Sequence, residues 1–156
     1  MKNKTLFLVF LTLILFLSLR AQVELLGELS KEEIFENLPD WQQVASSYSP
    51  KQETIEKLKA IKREIQIEIF LGTWCPDSKA HISAYFKIME LVDNPLILTT
   101  YIGIPRDKQA RQEFIQGKNI EKVPTFIVTL DNQEKGRIIE TPTKSIEEDL
   151  FDIINR

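Results

Sequence analysis

The chain has 156 residues, 43% hydrophobic and 28% charged, which suits one domain able to bury a core without disulfide staples. A single cysteine, Cys75, excludes an intramolecular disulfide and a cysteine-based zinc site, and a single histidine, His81, argues against a transition-metal centre built from protein ligands. The formal charge of −3 argues against nucleic acid or an anionic membrane surface as partner.

Residues 1–21 read as an export segment rather than part of the fold. Lys2 and Lys4 precede a nearly unbroken apolar run from Leu6 to Leu19. That length fits a signal-peptide core and is short for a membrane span, which needs about 20 residues. Leu19-Arg20-Ala21 departs from the small-residue cleavage pattern, so an uncleaved N-terminal anchor stands as the alternative. No cysteine follows the run, which excludes lipid attachment there. Either way the domain is expected to be exported, periplasmic or extracellular, soluble or N-terminally tethered. Without Lys2, Lys4 and Arg20 the chain keeps 17 of its 20 basic residues against 23 acidic ones, a formal charge of −6.

Residues 22–49 read as an N-terminal extension whose expected role is to cap a sheet edge. Within it, Ser30-Lys31-Glu32-Glu33 has capping-box spacing and predicts a short helix that ends before Pro39. Trp41 to Pro50 reads as a connector with an aromatic anchor at Trp41. Pro50 then opens a helix over 51–63, with Ile55, Leu58 and Ile61 on one face.

Ile65 to Leu71 alternates and then turns wholly apolar, as a strand entering a core does. Pro76 to Leu91 reads as a helix, because a proline in the first turn gives up an N–H that would have no partner. Pro95 to Gly103 predicts a second buried strand, and Arg106 to Gln116 a helix stopped by Gly117. Thr125 to Leu130 predicts a third strand, Asp131 to Gly136 a turn, and Arg137 to Glu140 the returning hairpin strand. Ser145 opens a C-terminal helix with Ile146, Leu150, Ile153 and Ile154 as its apolar face. Strands alternating with helices and closing on a hairpin predict an α/β fold, a mixed sheet flanked by helices.

Cys75 sits between the first core strand and the helix that follows it, in Thr73-Trp74-Cys75-Pro76-Asp77-Ser78. A thiol at a helix start faces unpaired backbone N–H groups and the positive end of the dipole, and both favour the thiolate that attacks disulfides. Ser78 stands three residues on, where a two-cysteine redox motif carries its second thiol.

With Val123-Pro124-Thr125 before the third core strand, this arrangement resembles the thioredoxin superfamily over residues 50–156. More narrowly it resembles exported bacterial thioredoxin-like proteins with a Trp-Cys-x-Asp-Ser turn. The resemblance rests on Phe70 to Lys79 and on Val123 to Ile127. It implies a thioredoxin-like sandwich with a central mixed β-sheet, Cys75 as the exposed nucleophile, and Trp74 and Pro76 shaping the surface beside it. It also implies that Pro124 is a cis-proline whose loop, Val123 to Thr125, frames a substrate groove. Only about 5% of X–Pro bonds in folded proteins are cis.

Two departures bear on chemistry. Ser78 removes the resolving cysteine, and Ile69 occupies the place where thioredoxins carry a buried acid that assists proton transfer. What remains is a single nucleophile whose thiolate Ser78 and Lys79 are placed to support, while Asp77 opposes. His81 lies six positions on, about 240° around the helix, and is not placed to act as its base.

The expected function is thiol–disulfide exchange outside the cytoplasm. Cys75 would form a mixed disulfide with a cysteine-containing protein or small thiol, and an external thiol would resolve it. The alternative is a non-catalytic binding module holding a peptide or partner in the cis-proline groove, with Cys75 only filling the strand–helix junction. Glutathione-dependent monothiol chemistry is a third reading; no clear carboxylate-binding cluster supports it, although Arg106 and Lys122 lie in loops near the turn. No metal, nucleotide or haem is implied, because no glycine-rich phosphate loop or ligand cluster is present.

Overall fold

The computed structural model describes residues 23–156. The reading of residues 1–21 as signal or anchor lies outside the described residues. Among those described, no helix is long and apolar enough to cross a membrane.

The first described element is strand β1 (Gly27–Leu29), which no sequence pattern announced. Helix α1 (Lys31–Asn37) follows through the expected capping box: the Ser30 hydroxyl accepts from the Glu33 N–H at 3.1 Å, and the Glu33 carboxylate accepts from the Ser30 N–H at 2.8 Å.

The expected connector after Trp41 is instead a second helix, α2 (Pro39–Ser47). Pro39 starts it, and Trp41 and Ala45, one turn apart, bury its inner face. Trp41 is the anchor expected, 2% exposed. Helix α3 (Gln52–Lys59) buries Ile55 and Leu58 and ends before Arg63. Its end is held from outside, for the Asn94 side-chain amide donates to the carbonyls of Leu58 (3.2 Å) and Ile61 (3.1 Å).

Strand β2 (Ile65–Leu71) has the predicted bounds, and helix α4 (Pro76–Val92) runs one residue beyond its expected end. β3 (Ile97–Gly103), β4 (Thr125–Leu130) and β5 (Gln133–Ile139) complete one sheet ordered β1-β3-β2-β4-β5. β2 lies parallel to β3 and antiparallel to β4, so the sheet is mixed, as predicted. β1 pairs antiparallel with β3 at one edge, and the N-terminal segment therefore belongs to the same sheet as the rest of the chain.

The predicted long turn of the hairpin contracts to two residues. Asp131 and Asn132 both have positive φ, the geometry of a tight two-residue turn, and β5 begins at once at Gln133. Its polar start is tolerated because β5 is an edge strand. Helix α6 (Ile146–Ile154) closes the chain, capped by Ser145.

The two faces of the sheet are covered unequally. Ile65, Ile67, Ile69 and Leu71 point into a large cluster with residues of α1 to α4, α6, β4 and β5. Phe70, between them, points the other way into a small cluster with Ile104, Ile115, Ile120, Val123 and Ile127. Phe70 is fully buried, and truncating it to alanine would cost about 3–5 kcal/mol.

The small cluster lies under residues 104–123. Here the expected helix over 106–116 shrinks to α5 (Gln112–Ile115). The Asp107 carboxylate accepts from the N–H groups of Gln109 and Ala110, both at 2.9 Å, and holds the chain in a turn. The Arg111 side chain bonds backward to the Pro105 and Arg106 carbonyls, and Gly117 ends the segment with φ +76°. Trp74 and Cys75 pack against this cluster, so the candidate site sits on the thinly covered side.

Candidate functional site

Cys75 is the N-cap of α4 and is half-buried. Its N–H donates to the Gly72 carbonyl at 2.9 Å, closing the turn from β2 into the helix, and Pro76 occupies the first helical position. The side chain makes no capping bond. Instead the Cys75 Sγ donates to the Val123 carbonyl at 3.4 Å, across to the loop before β4. The Val123–Pro124 peptide bond is cis. Residues 48 positions apart in sequence thus meet at the sulfur.

Each flank of that contact is fixed. The Pro124 carbonyl accepts from the Glu140 N–H at 2.7 Å, joining the loop to the end of β5. Thr125 is buried, and its hydroxyl donates to the Lys122 carbonyl at 2.7 Å. Thr125 therefore shapes the loop from inside and offers no open surface to a substrate. Lys122 pairs with Glu140, which raises the lysine's affinity for its proton.

Trp74 is held in three ways. Its indole N–H donates to the Ile104 carbonyl at 3.0 Å. Gly72 lies against the ring so closely that a Cβ there would come within 2.7 Å of Cζ2. The guanidinium carbons of Arg111 and Arg106 lie 4.8 and 5.4 Å from the ring centroid, distances at which cation–π attraction is worth about 0.5–1 kcal/mol each at exposed sites. Arg106 also donates to the Trp74 carbonyl at 3.4 Å, one peptide bond from Cys75.

The two residues expected to support the thiolate do other work. Ser78 is fully buried and its hydroxyl accepts from the Gly72 N–H at 3.1 Å, which braces the turn; among the described residues no hydrogen bond joins that hydroxyl to the Cys75 sulfur. Lys79 reaches away to α2 and pairs with Asp40 at 2.6 Å. The hydrogen bond from Lys79 holds the Asp40 carboxyl below its ordinary range. That pairing follows from the placement of α2 beside α4, which a connector at 41–50 would not have supplied. His81 faces a groove between α2, α4 and the segment before α6, away from this turn. Burial lowers its proton affinity, and Asp77 partly offsets that.

Residues that sequence reasoning passed over also converge here. Thr73, two before Cys75, donates through its hydroxyl to the Val23 carbonyl at 2.8 Å and accepts from the Leu25 N–H at 3.2 Å. Arg111 lies within the span that reads as a helix, and no local pattern pairs it with Trp74, 37 positions earlier. Among the described residues no group of three or more His, Cys, Asp or Glu side chains is disposed to hold a metal.

A strand–turn–helix carrying Trp-Cys, faced by a Val-cis-Pro loop in a mixed five-stranded sheet, can be set against known proteins. A family model described as thioredoxin matches residues 28–150. The chain belongs to the thioredoxin family. Among solved structures, a Pseudomonas aeruginosa protein of unknown function superposes with a TM-score of 0.56 at 19% identity, covering 75% of this chain and 81% of that one. An HIV epitope scaffold gives 0.55 at 19% identity over the same shares. At these identities the likeness shows the fold. A mutant thioredoxin from Halobacterium salinarum aligns at 16% identity with a TM-score of 0.43, over 69% of this chain and 86% of that one. No curated protein matches the sequence. The family match begins inside β1.

Proposed function

We propose that this thioredoxin-family chain performs thiol–disulfide exchange through Cys75 alone, outside the cytoplasm. The observation that carries the reading is the Cys75 sulfur at the N-terminus of α4, half-buried and turned toward the Val123 carbonyl beside Pro124. Trp74 and Pro76 border it, the former half-buried and the latter exposed.

In the forward step the Cys75 thiol gives up to water the proton it shares with the Val123 carbonyl, and the thiolate attacks one sulfur of a substrate disulfide. A new S–S bond forms, the substrate bond breaks, and the departing thiolate takes a proton from water. Because Ser78 supplies no second thiol, an external thiol attacks the mixed disulfide and returns Cys75 to its reduced form. The export segment read at residues 1–21 favours a compartment where disulfides persist.

A second reading, a binding module with no turnover, is favoured by three observations. Ile69 is buried and apolar, Ser78 is committed to Gly72, and Lys79 is committed to Asp40. The experiment that separates them is exchange with a cystine-linked peptide, followed by mass spectrometry and by turnover on adding excess external thiol. A mixed disulfide at Cys75 that the thiol releases, absent in Cys75→Ser, supports exchange. No adduct in the folded protein, with normal labelling after unfolding, favours the binding module.

A further inference from the structure

Next to Cys75 the chain gathers positive charge around a single indole. Arg111 donates through Nε to the Pro105 carbonyl at 2.8 Å and through Nη2 to the Arg106 carbonyl at 2.9 Å. Both partners are carbonyls, and no carboxylate lies within ion-pair distance of Arg111 among the described residues. Arg106 is held to the Trp74 carbonyl, and both guanidinium groups rest on the same indole.

Two like charges within about 6 Å of one ring centroid repel, and the loop accepts that cost. Lys108, exposed in the same loop, adds a third positive charge, whereas the Asp107 carboxylate is turned into its own turn to cap Gln109 and Ala110. This lies in a chain whose formal charge is −6 once Lys2, Lys4 and Arg20 are set aside. A positive patch on an acidic domain, resting on the indole of the residue that precedes the nucleophile, points to selection of an anion.

We infer that Arg111, stacked on Trp74 beside Arg106, forms an anion subsite that selects disulfide or thiol substrates bearing a carboxylate close to the reacting sulfur. The inference rests on the exchange reading above and names the substrate class for that site. Guanidinium suits the task because its fork accepts a carboxylate through paired N–H donors, and the backbone bonds of Arg111 pre-set its plane. The carboxylate belongs either to an acidic residue beside a cysteine in an extended peptide or to a small carboxylated thiol.

The test measures the rate of Cys75 mixed-disulfide formation in the full chain with three small disulfides, dithiodipropionate (anionic), hydroxyethyl disulfide (neutral) and cystamine (cationic), each rate divided by that of the same disulfide with the unfolded chain so that intrinsic reactivity cancels. The anionic probe is expected to react faster than the neutral one by about fivefold or more at low salt, and the cationic one more slowly. That ratio should collapse in Arg111→Gln, recover in part in Arg111→Lys, and shrink as salt is raised. Equal rates for the three probes would overturn the inference while leaving exchange intact. A cystine-linked peptide with glutamates beside the cysteine, against its glutamine counterpart, then distinguishes the sources: a ratio larger than that of the small probes assigns the carboxylate to peptide, and a smaller one to a small thiol.

If no probe reacts with Cys75, the exchange reading fails, and the subsite is judged separately with thiodipropionate, which has no bond to exchange. A saturable shift of the Trp74 indole N–H resonance that Arg111→Gln abolishes upholds it. No shift removes it.

Discussion

The Thr73 hydroxyl donates to the Val23 carbonyl at 2.8 Å, so the residue two positions before Cys75 also holds the N-terminal segment against the Trp-Cys turn. The same oxygen accepts from the Leu25 N–H, and the Leu25 carbonyl lies against Gly103 with no room for a side chain between them. The sheet edge and the turn that carries Cys75 are thereby one mechanical unit.

Thr73→Val keeps the shape and removes both bonds. We expect the Leu25 amide to exchange with solvent faster, with a local cost of about 1–2 kcal/mol, while amides in β2 and β4 keep their protection. Unchanged exchange at Leu25 would show that β1 pairing alone holds the segment.

Gly72→Ala places a methyl where the Trp74 ring lies, 2.7 Å from Cζ2 and 2.9 Å from Nε1. The indole must leave the Ile104 carbonyl, and Arg111 loses its platform. A cost of about 1–3 kcal/mol is expected, with faster exchange of the Trp74 indole N–H. An indole resonance that stays protected would mean that the turn itself moves instead.

Ser78→Cys restores a second thiol at the third position of α4. By helix geometry its Cα lies about 5 Å from that of Cys75, inside the span of a disulfide. Mild oxidation should remove both titratable thiols, and the reduced variant should be about 1 kcal/mol less stable because Gly72 loses a good acceptor. Two thiols persisting after oxidation would show that the buried residue 78 side chain cannot turn toward Cys75.

His81 gives the stability a pH dependence. Burial sets its folded proton affinity below the ordinary value of 6.5, so between the two values the unfolded chain binds more protons than the folded one. Stability should be flat above that value with respect to this group and fall as pH drops below it. The slope of the denaturant-unfolding free energy between about pH 7 and 5.5 should be smaller in His81→Gln. An equal slope in the variant would place the proton uptake elsewhere.

Much of the architecture is legible along the chain. The bounds of β2 and β4, the capping box at Ser30, the proline start of α4 and the mixed order of strands all rest on residues within one turn or one pleat of each other, and those neighbours are written in sequence. Helix α2 is less legible because its two buried residues, Trp41 and Ala45, stand among glutamines and serines that read as loop. The loop at 106–111 misleads in the opposite sense: its composition suits a helix, but Asp107 and Arg111 give its backbone other partners.

By itself the sequence determined that one cysteine stands at a strand–helix junction, that no second thiol accompanies it, and that a Val-Pro-Thr segment precedes the third core strand. Tertiary structure alone decided where the neighbouring side chains spend their bonds. Ser78 turned to Gly72, Lys79 to Asp40, Thr73 to Val23 and Arg111 to Trp74. The reason is physical: local spacing limits which face of an element a residue occupies. Which partner it meets there depends on elements packed against that face from tens of residues away.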